Sequence, residues 1–287
     1  DPWENQWLDA GGGKTHRLAQ GLRIFSFFSD SATYGGSMGF SGVVFSILAL
    51  YTKETKQKVF YLTAGMLAFY ALLISGTRGA LAVPFGGFFF YAVVSKRFKI
   101  IMLIVVMLIG SYSFLKFTTI GESVYEIRRF REAVDSDNAS LAVRKENQQK
   151  FAVYLADRPF GGGIGSAGNW GLRFSPGTFL AETPPDGWYV QIWAEQGIIG
   201  LMLYLSILIT IILRSSYIIM FKLKNKYLIG IASGLISGIV GVMVASYSSG
   251  ALGQMPNGII IYTALAFIFM MEKWEKNDLI TNEPLSS

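Results

Sequence analysis

Arg78 stands in Ser75-Gly76-Thr77-Arg78-Gly79-Ala80, a tight connection between two apolar runs. An arginine at a membrane boundary is costly unless it is solvated, snorkels to headgroups or is paired. Here Gly76 and Gly79 let the backbone turn sharply and aim the guanidinium outward, and its planar fork of donors matches phosphate oxygens. Arg23 lies in Gly21-Leu22-Arg23-Ile24-Phe25-Ser26-Phe27, ahead of the first apolar run. Arg144, with Lys145 and Lys150 nearby, and the group Arg128, Arg129 and Arg131 lie in a long polar segment. Singly, each reads as an ordinary solvated charge. Gathered on one membrane face, they point to an anionic, phosphorylated substrate delivered in lipid.

Two carboxylates stand out beside these cations. Asp186, in Thr183-Pro184-Pro185-Asp186-Gly187-Trp188-Tyr189, is the last residue before the fifth apolar run, where Asp favours capping a helix N-terminus. Capping is compatible with a chemical role. Glu195 lies nine residues further on, inside the apolar run. An intramembrane carboxylate needs a partner, and we read Glu195 as structural, paired with an arginine or a helix terminus. Other motifs carry less. Gly163-x-Gly165-x-x-Gly168 spells a dinucleotide fingerprint, but a helix and Pro159 precede it instead of a strand, and no helix is expected after it. It reads as a loop whose backbone something approaches closely. Gly13-Lys14-Thr15 lacks the glycine a phosphate-binding loop requires five residues before Gly13, where Leu8 stands. Asn138-Ala139-Ser140 is a glycosylation sequon by letter only, and His16 has no second ligand type clustered with it.

The elements that must position these groups are membrane helices. Of the 287 residues, 52% are hydrophobic and 15% charged, whereas a soluble domain carries about a quarter charged residues. The mean hydropathy is +0.41. With no Cys and one His, the chain has no disulfides, no thiolate chemistry and no His-based zinc site. The apolar residues gather in seven runs, about 35–51, 59–75, 79–95, 98–115, 187–213, 227–247 and 258–271, against roughly 20 residues for a full span. Lys53, Lys56 and Lys58, then Lys96, Arg97 and Lys99, then Arg214, Lys222, Lys224 and Lys226, and finally Lys273 and Lys276 fall on one side if each run crosses once. That is the positive-inside pattern. It also accounts for the pI near 9.3 without nucleic acid as a partner.

The expected fold is therefore all-α and polytopic, with about seven transmembrane helices and one large, partly helical external loop. Residues 1–34 form an external segment, 35–115 four membrane helices, 116–186 the large loop, 187–271 three more helices and 272–287 a cytoplasmic tail. Within the loop, 121–134 and 139–157 read as helices, and 159–186 as Gly- and Pro-rich loop. Gly230, Gly234 and Gly238, with Gly241 beside them, form a small-residue stripe for close helix packing. The chain is read as the C-terminal part of a longer helical membrane protein, or as a processed form.

Taken together, these segments resemble the O-antigen ligase and O-antigen polymerase family of bacterial envelope enzymes. The resemblance rests on Arg23-Ile24-Phe25-Ser26-Phe27 followed by Gly35, and on Ser75-Gly76-Thr77-Arg78-Gly79-Ala80. It continues in Arg144 with Asp157-Arg158-Pro159-Phe160-Gly161-Gly162-Gly163-Ile164-Gly165. It ends in Asp186-Gly187-Trp188-Tyr189-Val190-Gln191 and Ala194-Glu195-Gln196-Gly197-Ile198-Ile199-Gly200. It covers roughly residues 20–271.

The resemblance implies a metal-independent glycosyltransferase in the bacterial inner membrane, with its site on the periplasmic side. Such an enzyme moves a glycan from an undecaprenyl-diphosphate carrier to an acceptor glycan or lipid A-core during polysaccharide or lipopolysaccharide assembly. It implies that Arg23, Arg78, Arg144 and Arg158 bind the diphosphate, with Arg78 and Arg144 also catalytic. No cofactor is implied, and the partners are the lipid-linked glycan, its acceptor and membrane lipids. The ligases carry a histidine at the start of the helix after the loop, proposed to activate the acceptor hydroxyl. Asp186 occupies that place, as a candidate general base, and the departure points toward a polymerase or another polysaccharide transferase. A transporter or flippase of a lipid-linked or anionic solute would share the helices and the arginines. It would place its polar residues at mid-membrane, whereas these lie at one face beneath a long loop.

Overall fold

A computed structural model describes residues 17–18, 21–96, 98–121, 127–128, 131 and 139–281. His16, Gly13-Lys14-Thr15, Asn138 and Arg129 lie outside these residues. So does most of the helix expected over 121–134, of which Ile127, Arg128 and Arg131 are helical. Among the described residues the only sheet is a ladder of two-residue strands, β1 (Arg17–Leu18) and β2 (Gly21–Leu22). All else that is regular is helical: α1 (Ser31–Tyr51), α2 (Thr55–Ile74), α3 (Ala82–Val94, entered through a 3₁₀ turn at Arg78–Leu81), α4 (Phe98–Phe117), α5 (Ala139–Tyr154), α6 (Gly168–Phe174), α7 (Phe179–Glu182), α8 (Trp188–Tyr217, continuing as a π turn to Lys222), α9 (Lys226–Ala245) and α10 (Asn257–Thr281).

Each of the seven apolar runs is thus helical. Among the described residues four helices, α1, α2, α8 with its π turn, and α9, are long and apolar enough to cross a membrane, and Arg78–Val94 is a shorter apolar helix. α10 carries on past the apolar run as far as Thr281.

The bundle is centred on α9, which lies between α1 and α3. Glycine makes this possible. A side chain at Gly230 would strike Tyr51, one at Gly238 would strike Phe40, and Gly234 faces the Val44 backbone. The order of these partners shows that α1 and α9 are antiparallel. Gly241 faces the other way, 2.2 Å from the Val83 carbonyl when a Cβ is placed on it, and Gly87 returns the contact against the Ser237 carbonyl. At Gly234, Gly241 and Gly87 backbone meets backbone, and at Gly230 and Gly238 an aromatic side chain fills the gap, the use to which small residues are put where lipid removes the hydrophobic drive. Val43, Ile47, Val83, Ile236 and Ile239 fill the remaining space and are fully buried. α2 joins on the far side of α1, through Gly39 on Leu72 and Gly42 on Phe69.

The connections sort to two ends. At one, Tyr51 meets Gly230, Lys96 lies over Phe221, and Glu275 accepts from the Lys224 and Asn225 amides. At the other, Gly35 meets Ser75, Gly79 meets Ser248, and Gly187 meets Tyr247. The basic connections share the first end, and the segment 139–187 meets the second, through Arg144 on Ser248 and Gly187 on Tyr247.

That segment folds on its own small core. Phe151 from α5, Leu155 just after it, Ala167, Leu180, and Val190 and Ala194 from α8 are buried together. Phe179 stacks on Tyr154 at 4.5 Å and meets Phe151 edge-on at 5.9 Å. The expectation of plain loop over 159–186 is corrected by α6 and α7. α6 starts at Gly168, so a short helix does follow the glycine triplet. Its Gly171 lies against the Ser166 carbonyl and Ala181, a tertiary contact that local pattern does not encode.

Candidate functional site

The fifth apolar run is not one straight helix. Within α8, Gly197 has φ 69° and ψ −171°, a conformation essentially reserved for glycine. The chain bends there hard enough for the Trp188 indole N–H to donate to the Tyr204 hydroxyl at 2.8 Å. A straight helix would hold those two residues about 24 Å apart. The first arm, 188–196, therefore faces the second across the bend.

A break in a helix orphans carbonyls on one side and amides on the other. The glycine loop after α5 satisfies both. Gly162 and Gly163 donate to the carbonyls of Ala194 and Glu195 at 2.9 Å each, and the Ile199 amide donates to the Pro159 carbonyl at 3.3 Å. Gly161 and Gly197 meet backbone to backbone, and a Cβ on Gly197 would lie 2.0 Å from the Pro159 carbonyl oxygen. The close approach expected at Gly163, Gly165 and Gly168 falls instead at Gly161; of those three only the Gly163 amide joins the docking, and a Cβ on Gly163 or Gly165 would meet nothing within 4 Å. Glu195 is buried on the first arm, where its carboxylate accepts from the Gln191 amide at 3.2 Å. A side-chain amide one turn earlier bonds it, where an arginine or a helix terminus was expected.

The start of the first arm is pinned as firmly. The Trp188 amide lies 3.0 Å from the carbonyls of both Ser246 and Ser249, and Gly187 packs on the Tyr247 carbonyl. The turn Ser246–Ser249, at the end of α9, is the meeting point of the site. Arg144 reaches it from α5, with Nη2 3.4 Å from the Ser248 carbonyl oxygen. The Arg78 turn reaches it from below, since a Cβ on Gly79 would lie 2.4 Å from Ser248 Oγ. Asp186 immediately precedes the pinned arm. Its carboxylate accepts from the buried Asn147 amide at 3.1 Å, one turn along α5 from Arg144. Arg78, Arg144 and Asp186 are each half-buried. A guanidinium has five donors, so the single contact from Arg144 to Ser248 leaves others for an anion.

The expectation that Asp186 caps the helix is corrected. The N-cap of α8 is Gly187, with no side-chain cap bond. Asp186 stands one residue earlier with φ 52°, a left-handed conformation uncommon for any residue but glycine and the Asx pair. Its carboxylate is turned to Asn147 instead.

Of the other candidates, Arg158 is not brought to this cluster. It is exposed, with its guanidinium 4.1 Å over the Tyr154 ring and a hydrogen bond to the Tyr154 hydroxyl. About 15 Å of helix separates Tyr154 from Arg144. Arg23 is half-buried in the extended stretch ahead of α1. The start of α1 is tied to the segment after Ser249. Asp30 caps the helix through the Ala32 and Thr33 amides, Thr33 Oγ1 lies 2.7 Å from Gln254 Oε1, and Asn257 donates to the Thr33 carbonyl. On the exposed face of α5, Lys150 hydrogen-bonds Glu146 and holds its carboxyl below the ordinary range. Among the described residues no group of three His, Asp or Glu side chains converges to ligate a cation.

Sequence reasoning missed Asn147 and the Ser246–Ser249 turn. Asn147 is one polar residue in a polar helix, and the turn is an uncharged serine stretch between two apolar runs. Neither carries a signal until the fold places it.

A family model described as O-antigen ligase matches residues 63–205. The matched span holds the Arg78 turn, Arg144, the glycine loop, Asp186 and the bend at Gly197. This chain belongs to the O-antigen ligase family. No curated protein and no solved structure matches it. Membership gives the O-antigen ligase family chain a glycosyltransferase-type role in glycan assembly at a membrane.

Proposed function

We propose that this chain transfers a glycan from an undecaprenyl-diphosphate carrier to an acceptor sugar at the periplasmic face of the bacterial inner membrane, as an O-antigen polymerase-type enzyme. The observation that carries this reading is the convergence of the Arg78 turn, Arg144 and Asp186 on Ser246–Ser249. The acceptor hydroxyl oxygen attacks the anomeric carbon of the donor sugar. The bond from that carbon to the diphosphate oxygen breaks, and the carrier diphosphate leaves with the electron pair. Arg78 and Arg144 stabilise the charge that develops on it, because donors fixed before the reaction need no rearrangement during it. Arg23 assists in holding the diphosphate, and Arg158, held on Tyr154 away from the cluster, has no part in it. The arginines supply the positive charge, so the reaction runs without a metal ion. Asp186 takes the hydroxyl proton, and Asn147 holds its carboxylate in the strained conformation that aims it. An aspartate where the ligases carry histidine favours the polymerase branch.

The test is transfer of radiolabelled glycan by the protein in liposomes. Asp186→Asn retains the volume and removes the base, and a positioned base is worth about 10²–10⁴-fold. We expect turnover to fall by about two orders of magnitude while carrier-lipid binding stays normal. Arg78→Lys and Arg144→Lys should each lose most activity, because an ammonium cannot make the bidentate phosphate contact. If Asp186→Asn turns over normally, the base assignment is wrong; if lysine serves at both positions, so is the diphosphate clamp. The proposed topology has seven crossings with 116–186 outside. Cysteines introduced at Lys56 and Leu172 should then respond oppositely to an impermeant reagent in intact cells, and equal labelling would refute it.

A further inference from the structure

The glycine loop and α6 enclose a cleft the transfer chemistry above does not use. It holds about 420 Å³ and is lined by Gly163, Gly165, Ser166, Trp170, Phe174 and Ser175, among others. Small-molecule sites span about 300–1,000 Å³. Trp170 and Phe174 lie one turn apart on α6, with their rings 5.9 Å apart and within 7° of parallel. Both are exposed, at 54% and 68%. Two large exposed rings, one stacked on the other, leave an apolar ring face free. The rest of the lining is mixed: peptide groups of the glycine loop, the exposed Ile164 side chain and the Ser166 hydroxyl, which bonds the Gly163 carbonyl at 2.6 Å. Arg173 brings its guanidinium 5.4 Å over the Phe174 ring.

Gly163 and Gly165 have φ 104° and 78°, and a Cβ on either would meet nothing within 4 Å. At Gly161 glycine is required because another backbone presses on it; here its bareness leaves the cleft open. A ligand that fits must combine a flat face of C–H groups with a rim of hydrogen-bonding hydroxyls. A pyranose ring has that construction. Acyl chains do not fit the cleft, because peptide groups and hydroxyls cannot enter hydrocarbon unsatisfied.

We infer that the Trp170–Phe174 cleft is a saccharide-binding site that holds the acceptor sugar. Its place supports the second half of that statement. Gly168, the first residue of α6, packs on Pro185, the neighbour of Asp186. The helix that carries Trp170 and Phe174 is therefore packed on the segment that bears Asp186, proposed above as the base, and the acceptor role rests on that reading. The saccharide site itself does not.

The test uses the full chain in lipid nanodiscs. Saturation-transfer NMR with the methyl glycosides of glucose, galactose, rhamnose and N-acetylglucosamine as probes should show saturation on the C–H face of at least one. Trp170→Ala and Phe174→Ala should abolish it, and Trp170→Phe should keep part of it, with unfolding temperature unchanged. In the transfer assay, Trp170→Ala should raise the acceptor KM about tenfold and leave kcat and donor KM within about twofold, the pattern of lost uniform binding. If no glycoside is saturated by the wild-type protein, and brominated lipids quench Trp170 fluorescence, the face is a membrane anchor and the inference falls. Saturation with an unchanged acceptor KM would overturn the acceptor role. If the wild-type protein transfers no glycan while Trp170→Ala still loses glycoside binding, the transferase reading fails and the saccharide site is supported.

Discussion

α8 and α9 are equally apolar, with mean hydropathies of 2.3 and 2.2 in their most apolar windows, yet 72% of that window is buried in α9 and 6% in α8. The difference is in small residues. α9 brings Gly230, Gly234, Gly238 and Gly241 against the backbones and rings of α1 and α3. α8 presents Ile198, Met202, Leu203, Ile207, Ile209 and Leu213 outward, all largely exposed. Hydropathy reports that a helix avoids water. It does not distinguish protein from lipid as the alternative, because lipid tails are as apolar as leucine. Where helices touch is written in the side chains that are missing.

This contrast can be broken. Gly241→Val would drive a branched side chain into the Val83 carbonyl, 2.2 Å from its Cβ. We expect a cost of about 3 kcal/mol and little folded protein by size-exclusion chromatography in detergent; a normal monomer peak would mean that α9 does not pack as described. Next comes Gly197→Ala, on the helix that otherwise tolerates change. It meets both the Pro159 carbonyl and a forbidden backbone conformation, worth about 1–3 kcal/mol in strain alone. The bundle should survive while the cap loosens, so limited proteolysis should cut within 159–187 faster and transfer should drop. Unchanged cleavage would show that the bend does not hold the cap.

Two further substitutions sharpen the contrast. Ile239→Ala, at a fully buried position on α9, should cost about 2 kcal/mol through the cavity it leaves. Leu203→Ala, exposed on α8, should stay within about 0.5 kcal/mol. Chemical denaturation in micelles measures both, and equal costs would erase the distinction between the helices.

The helices themselves were legible in the sequence, because runs of apolar residues separated by basic loops have few other solutions. The bend was not. A glycine within 27 apolar residues reads as a tolerated flaw, and only the docked loop makes its conformation necessary. For the same reason Asp186 was found but misread: a capping residue and a residue one place earlier, turned to Asn147, look identical in one dimension. Arg144 was legible as a cation, and its partner Ser248, 104 residues away, was not. Arg158 entered through the family motif, which records that a residue recurs and not where its side chain is held.

The glycine dock joins the cap to the bent helix through main-chain groups alone, Gly162 and Gly163 to Ala194 and Glu195, and Ile199 to Pro159. A fastening of this kind does not read side chains. The exposed residues of the outer part, from Ile164 to Pro185, can therefore change without altering this fastening, so long as Ala167 and Leu180 still pack on Val190 and Ala194. Loop and bundle are separable in heredity as they are not in space: one surface is free to follow a new sugar while the clasp beneath it stays the same.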